Sequence, residues 1–207
     1  MIGMTLGGLK TLEQGIGIDV GEAKDIYFTK RTIRVVLAAI IASNSQPKEL
    51  GILIGRSEPR SIRISNFDLP AMLAAQVKSH FTHLEHLNLI AGSTKRDDEN
   101  EDIDPEELAP NYNRFLKLFP QISRFTANFG RRANKYSWCY GEGGYFPALS
   151  STLDLPNLRV LKICCATCKT ETVLRLLRRH VSLKKLYLQH IDLSGGKEAW
   201  QTFLHSI

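Results

Sequence analysis

Apolar residues along this chain recur in two rhythms that take turns. The first is the phrase apolar-x-x-apolar-x-apolar, which occurs as Leu84-Leu87-Leu89, more weakly as Ile122-Phe125-Ala127, and then as Leu158-Leu161-Ile163 and Leu183-Leu186-Leu188. The last two copies are offset position by position by 25 residues, and the four phrases start at 84, 122, 158 and 183. Side chains along a strand alternate between faces, so each phrase predicts a short strand whose last two apolar residues share one buried side. LGILIG at 50–55 and SIRIS at 61–65 read as further strands without the full phrase.

The second rhythm is helical and falls between the strands. In 32–43, Ile33, Val36, Leu37, Ile40 and Ile41 share one face. A helix is predicted from Asp68 and Pro70 to about Phe81, and another from Asp104-Pro105 to Phe119 with a bend at Pro110. Thr170 is placed to cap a helix carrying Val173, Leu174, Leu176 and Leu177, and Trp200, Phe203, Leu204 and Ile207 repeat that spacing. Trp200, Phe203 and Leu204 lie 27 residues beyond Val173, Leu176 and Leu177, so two residues are added in the turn that holds Ser194-Gly195-Gly196. An insertion confined to a turn, with the pattern kept on both sides, is the mark of a repeated unit. Cys168 occupies the position of Leu193 in this arithmetic and is expected in the core.

Strands joined through helices of this length must run parallel. The predicted class is therefore α/β, an irregular repeat with parallel strands on one face and helices on the other. One unit has too little apolar surface to bury by itself, so neighbouring units must stack. The expected organisation is a flexible segment over 1–28, then a repeat domain over 29–207. Two inserts interrupt it: an acidic one over 92–104 and an aromatic, glycine-rich one over 129–147.

If the phrases align, the outward positions form rows: His86, Arg124, Val160, Lys185; then Asn88, Thr126, Lys162, Tyr187; then Ile90, Asn128, Cys164, Gln189. In stacked repeats such rows make a binding surface. Arg124, Lys162, Lys185, Tyr187, Asn88 and Gln189 are the candidate partner-binding residues. Trp138 joins them from the aromatic insert, where Tyr136, Tyr140, Tyr145 and Phe146 stand close to Arg131, Arg132 and Lys135. Mixed aromatic and basic side chains suit either a protein contact or stacked bases.

Charge sharpens this. The chain has 27 basic and 21 acidic residues, a net +6, but eight of the acids lie in DDENEDIDPEE at 97–107. The remainder is strongly basic, which favours an acidic partner, protein or nucleic acid. The acidic segment either covers the basic face within the chain or is a solvated loop.

Other chemistry finds little footing. Gly15-x-Gly17-x-x-x-Gly21 misses the dinucleotide fingerprint by one residue, and no phosphate-binding loop motif occurs. Cys165-x-x-Cys168 lacks the second pair that a structural zinc site uses. No H-E-x-x-H or G-x-S-x-G is present, so neither an enzyme nor a cofactor is expected. No apolar run is long enough to span a bilayer, and the N-terminal residues have no secretory pattern. Four unevenly spaced cysteines point to a reducing setting, cytoplasm or nucleus.

LPNLRVLKI, THLEHLNL and LLRRHVSLKKLYLQHIDLSGGKEAWQTFL together resemble the leucine-rich-repeat region of fungal F-box-type proteins. His180, Ser182, Leu183, Leu186, Leu188, Ile191, Leu193 and Trp200 carry the resemblance. It implies substrate recruitment for a cullin-type ubiquitin ligase, with the repeats holding a target protein. The F-box that would contact a Skp-type adaptor is not found in these residues, so the adaptor is expected as a partner only if an F-box precedes the chain.

Overall fold

The computed structural model describes residues 16–19, 26–53, 67–90, 105–128 and 145–206. Strands and helices alternate: β1 (Ile16–Asp19), α1 (Ile26–Ala42), β2 (Glu49–Leu53), α2 (Ala71–His80), β3 (His86–Ile90), α3 (Pro105–Leu116). They continue as β4 (Arg124–Asn128), α4 (Tyr145–Thr152), β5 (Val160–Cys168), α5 (Thr170–Arg179), β6 (Lys185–Leu193) and α6 (Gly196–His205). All six strands are parallel and form one open sheet in chain order.

Register follows the apolar phrases. Leu50, Leu87, Phe125, Leu161 and Leu186 are partners across successive strands, as are Ile52, Leu89, Ala127, Ile163 and Leu188. From β2 to β5 these positions are fully buried, and with Ile33, Leu37, Val77, Phe115, Leu116, Val173 and Leu176 from the helices they make a single core. A one-residue slip would turn every leucine to solvent, which is why the pattern specifies the pairing so tightly.

The main chain repeats one turn before four of the strands. The N–H groups of Leu84, Ile122, Leu158 and Leu183 donate to the carbonyls of Phe81, Phe119, Leu155 and His180. A second series ties neighbouring strands: the carbonyls of Lys48, Glu85, Ser123 and Arg159 each accept from two successive N–H groups at the start of the next strand. Ser182 adds its hydroxyl, donating to the Leu158 carbonyl at 2.9 Å.

β5 and β6 run on past their leucines. Cys165 (φ 56°) and His190 (φ 54°) both take the left-handed backbone conformation, and they are 25 residues apart. Each shifts the alternation by one residue, so Ala166 and Cys168 return to the core, as do Ile191 and Leu193 in part or whole. Cys168 pairs with Leu193 in register, the equivalence predicted from the offset.

Several expectations are corrected. The sheet starts ahead of residue 29: β1 pairs with β2 through Ile16 opposite Leu50 and Ile18 opposite Ile52, and α1 begins at Ile26. The flanking glycines hid this strand, because they lower strand propensity. Thr170 is the first residue of α5 and not its cap; Lys169 holds that place, and the Thr170 hydroxyl donates to the Ala199 carbonyl of α6 at 3.2 Å. Asp68 lies ahead of α2, whose N-cap is Pro70. It is a tie between α1 and α3, with its carboxylate 3.6 Å from Lys30 Nζ and 3.9 Å from Arg114, while Arg34 donates to its carbonyl. The last residues of the presumed aromatic insert, 145–147, open α4, and Phe146 is buried in the core. Leu204 is 61% exposed, although its counterpart Leu177 packs against the core. The strand expected at 61–65, the acidic insert at 92–104 and most of the aromatic insert lie outside the described residues.

Candidate functional site

The face of the sheet opposite the core carries the three rows that the sequence predicts. His86, Arg124, Val160 and Lys185 are partners in register; so are Asn88, Thr126, Lys162 and Tyr187; so are Ile90, Asn128, Cys164 and Gln189. Glu49 extends the first row on β2. Adjacent strands stand about 4.8 Å apart and alternate residues along a strand about 6.6 Å apart, which sets the grain of the surface.

Arg124, Lys185, Tyr187 and Gln189 are exposed, and Lys162 and Asn88 are half-buried. Val160 has Arg124 on one side, Lys185 on the other and Lys162 two residues along its own strand. Among the described residues none of these three cations has an anionic partner. Three like charges are thus held within about one Debye length of each other around an apolar floor. An anion set against them relieves mutual repulsion as well as gaining its own attraction. Tyr187, 50% exposed, is the partner of Lys162 in the next strand. It offers an aromatic surface with a hydroxyl at its tip, a combination common in protein contacts.

The sheet face changes character toward its N-terminal strands. Glu49 Oε1 lies 3.1 Å from His86 Nδ1, and His86 Nε2 is 3.5 Å from the Thr126 hydroxyl. Sequence patterning did not single out Glu49, because the apolar phrase of β2 starts one residue later.

Cys164 faces the same side as Lys162 but is buried, and its thiol lies 3.6 Å from Gln189 Oε1. Burial pushes the thiol pKa up, and nearby Lys162 pulls it partly back. The group is thus a neutral thiol at neutral pH, a donor and packing element rather than a nucleophile.

Trp138 lies outside the described residues. Among the described residues no group of three or more His, Cys, Asp or Glu side chains is placed to hold a metal ion. No helix among them is long and apolar enough to cross a membrane.

The fold is thus mixed α/β with an open parallel sheet, one face of which carries the helices and the other Arg124, Lys162 and Lys185, which have no anionic partner among the described residues. No family model matches the chain, and no curated protein matches it.

Proposed function

We propose that this chain is a protein-interaction module that holds an acidic target on the outer face of its sheet. One observation carries the proposal: Arg124, Lys162 and Lys185 surround Val160 without an anionic partner among the described residues, with Tyr187 at their side. Asn88 and Gln189 supply donors and acceptors at the margin. The repeated turns and the stepped carbonyls support reading the architecture as a leucine-rich-repeat-like solenoid, with this face as its concave side. On the strength of the sequence resemblance, the target is a protein recruited to a cullin-type ubiquitin ligase in the cytoplasm or nucleus. A Skp-type adaptor belongs to the scheme where an F-box precedes these residues.

The rival reading is a nucleic-acid binder, favoured by the excess of basic over acidic residues outside 97–107. Fluorescence anisotropy separates the two, using a labelled acidic peptide with interspersed aromatic residues and a labelled single-stranded oligonucleotide at two salt concentrations. The protein-interaction reading expects the peptide to bind more tightly. It also expects the Lys162→Glu/Lys185→Glu double variant to lose about tenfold or more, the scale of one well-placed charge contact. Tighter binding to the oligonucleotide, with affinity falling steeply as salt rises, would overturn it in favour of phosphate-backbone contacts.

A further inference from the structure

Three outward side chains from consecutive inner strands converge on the sheet face, and the cationic site uses none of them. Glu49 opens β2, His86 opens β3, and Thr126 lies at the middle of β4. Glu49 and His86 are partners in register, and Thr126 stands one row further along on the next strand, opposite Asn88. Glu49 Oε1 is 3.1 Å from His86 Nδ1, and His86 Nε2 is 3.5 Å from the Thr126 hydroxyl. An ionised carboxylate only accepts, so Nδ1 carries its proton toward Glu49 and Nε2 of the neutral ring accepts from the Thr126 O–H. His80 and His180, by contrast, turn a ring nitrogen to the main-chain carbonyls of Ser45 and Leu176.

A hydroxyl, an imidazole and a carboxylate joined in that order form the arrangement that activates a nucleophile. The ring takes the hydroxyl proton as the oxygen attacks, and the carboxylate orients the ring and stabilises the imidazolium that results. The hydroxyl–imidazole bond in such sites is long before a substrate is present and tightens when one binds. Thr126 also has suitable neighbours on both sides, Asn88 on β3 and Lys162 on β5. Each stands one strand away, about 4.8 Å. An amide N–H and an ammonium therefore flank the hydroxyl, where the carbonyl oxygen of an attacked ester gains negative charge. The His86 side chain is 26% exposed, that of Glu49 45%, and Thr126 is half-buried, so a small solute reaches the three from the sheet face.

We propose that Thr126, His86 and Glu49 form an acyl-transfer site that hydrolyses small carboxylic esters. The Thr126 oxygen bonds to the ester carbonyl carbon while its proton passes to His86 Nε2, and Lys162 and Asn88 hold the oxyanion. The bond to the alcohol oxygen then breaks, that oxygen takes the proton from Nε2, and the acyl group remains on Thr126. Water repeats the sequence: its proton goes to Nε2, its oxygen joins the acyl carbon, the carboxylic acid leaves and Thr126 regains its proton. Glu49 stays ionised throughout, and no oxidant, reductant or further reactant is consumed. The site shares only Lys162 with the target-binding cations and does not rest on the function proposed above.

The test uses the full chain with two probes. p-Nitrophenyl acetate reports turnover through release of p-nitrophenolate. An alkyl fluorophosphonate takes the same hydroxyl oxygen at phosphorus, loses fluoride and stays attached. Trypsin cuts after Arg124 and Arg131, and the fragment 125–131 has Thr126 as its one hydroxyl or amine side chain, so a label on it is unambiguous. The wild type should turn over the ester repeatedly, and Thr126→Val and His86→Gln should each be about 100-fold slower, the lower end for a positioned general base. Thr126→Ser should keep the turnover. The fluorophosphonate should label 125–131 in the wild type and not in His86→Gln. All these positions face away from the core, so thermal unfolding of the variants should match the wild type. An ester rate unchanged by Thr126→Val, a wild type without turnover, or a fragment that is unlabelled or labelled equally in His86→Gln overturns the proposal. Thr126→Val leaves Arg124, Lys162 and Lys185 in place and should bind the acidic peptide as the wild type does, so failure of the catalytic site and failure of the target-binding reading are read separately.

Discussion

His180 Nε2 accepts a hydrogen bond from the backbone N–H of Leu155, 3.4 Å away, and the two residues hold the same place in consecutive turns. Phe81, Phe119 and Leu155 fill that place in the earlier turns, and all three are buried. His180 is also buried, so it is the one polar member of this series. Its other nitrogen, Nδ1, lies 2.9 Å from the Leu176 carbonyl. With Nε2 accepting and Nδ1–H donating, the ring is held neutral in a single tautomer.

That arrangement predicts a stability that depends on pH. Burial lowers the His180 pKa below its ordinary 6.5, with Arg179 acting in the same direction and the Leu176 carbonyl and Asp154 opposing. The unfolded chain takes up the proton first as pH drops, so the stabilisation is whole above about 6.5 and is lost as pH falls through the lowered folded value. Denaturant midpoints measured from pH 7.5 downward should decline in this window, and His180→Phe should remove that part of the decline. Parallel curves for the two proteins would refute the assignment.

Phe119 packs edge-on against Phe81 at 5.7 Å and against Phe115 at 5.2 Å, and is fully buried. Phe119→Ala should cost about 3–5 kcal/mol, the usual range for an aromatic cavity in a core. Leu204→Ala, at the open face of α6, should cost well under 1 kcal/mol by comparison. Urea denaturation of both variants checks the contrast, and equal losses would mean that the core is not distributed as described.

Arg179 caps a helix of the preceding unit. Its Nη1 lies 3.0, 2.7 and 3.2 Å from the carbonyls of Ser150, Ser151 and Leu153, at the C-terminal end of α4. The last carbonyls of a helix receive no donor from a following turn, so a guanidinium can serve them, and the positive charge also suits that end of the helix dipole. Arg179→Gln should lower stability by about 1–2 kcal/mol, since the guanidinium is largely solvated and its hydrogen bonds are shared with water. Hydrogen exchange should quicken first in 145–152; unchanged protection there would rule the cap out.

The turn before α6 rests on Gly195, whose φ is 106° and whose added Cβ would meet the Ala199 Cβ at 3.3 Å. Both the backbone conformation and the close approach oppose a side chain. Gly195→Ala should destabilise by roughly 1–3 kcal/mol. Gly196 has φ 62° and open space around it, so Gly196→Asn should cost much less. Thermal unfolding of the two variants would show the difference, and a larger loss at Gly196 would contradict the turn geometry.

How much of this was legible depends on where the information resides. The rows that place Arg124 beside Val160 and Lys185, and Lys162 beside Tyr187, follow from aligning the apolar phrases, since burying one face excludes a one-residue slip and matching phrase to phrase sets the rest. The same reasoning assigned Cys168 to the position of Leu193. Glu49 was missed because it precedes its phrase, and β1 because glycines dilute it.

What the sequence determined by itself is therefore the alternation of elements, the parallel pairing and the identity of the outward residues, because side-chain period and burial are local and repeat. Tertiary structure decided what no side-chain pattern encodes. It assigned the Thr170 hydroxyl to α6 instead of its own helix end, Arg179 to the carbonyls of α4, and His180 to the N–H of Leu155. These partners are backbone groups, the same in every residue, and only packing one unit against the next determines which of them come within reach.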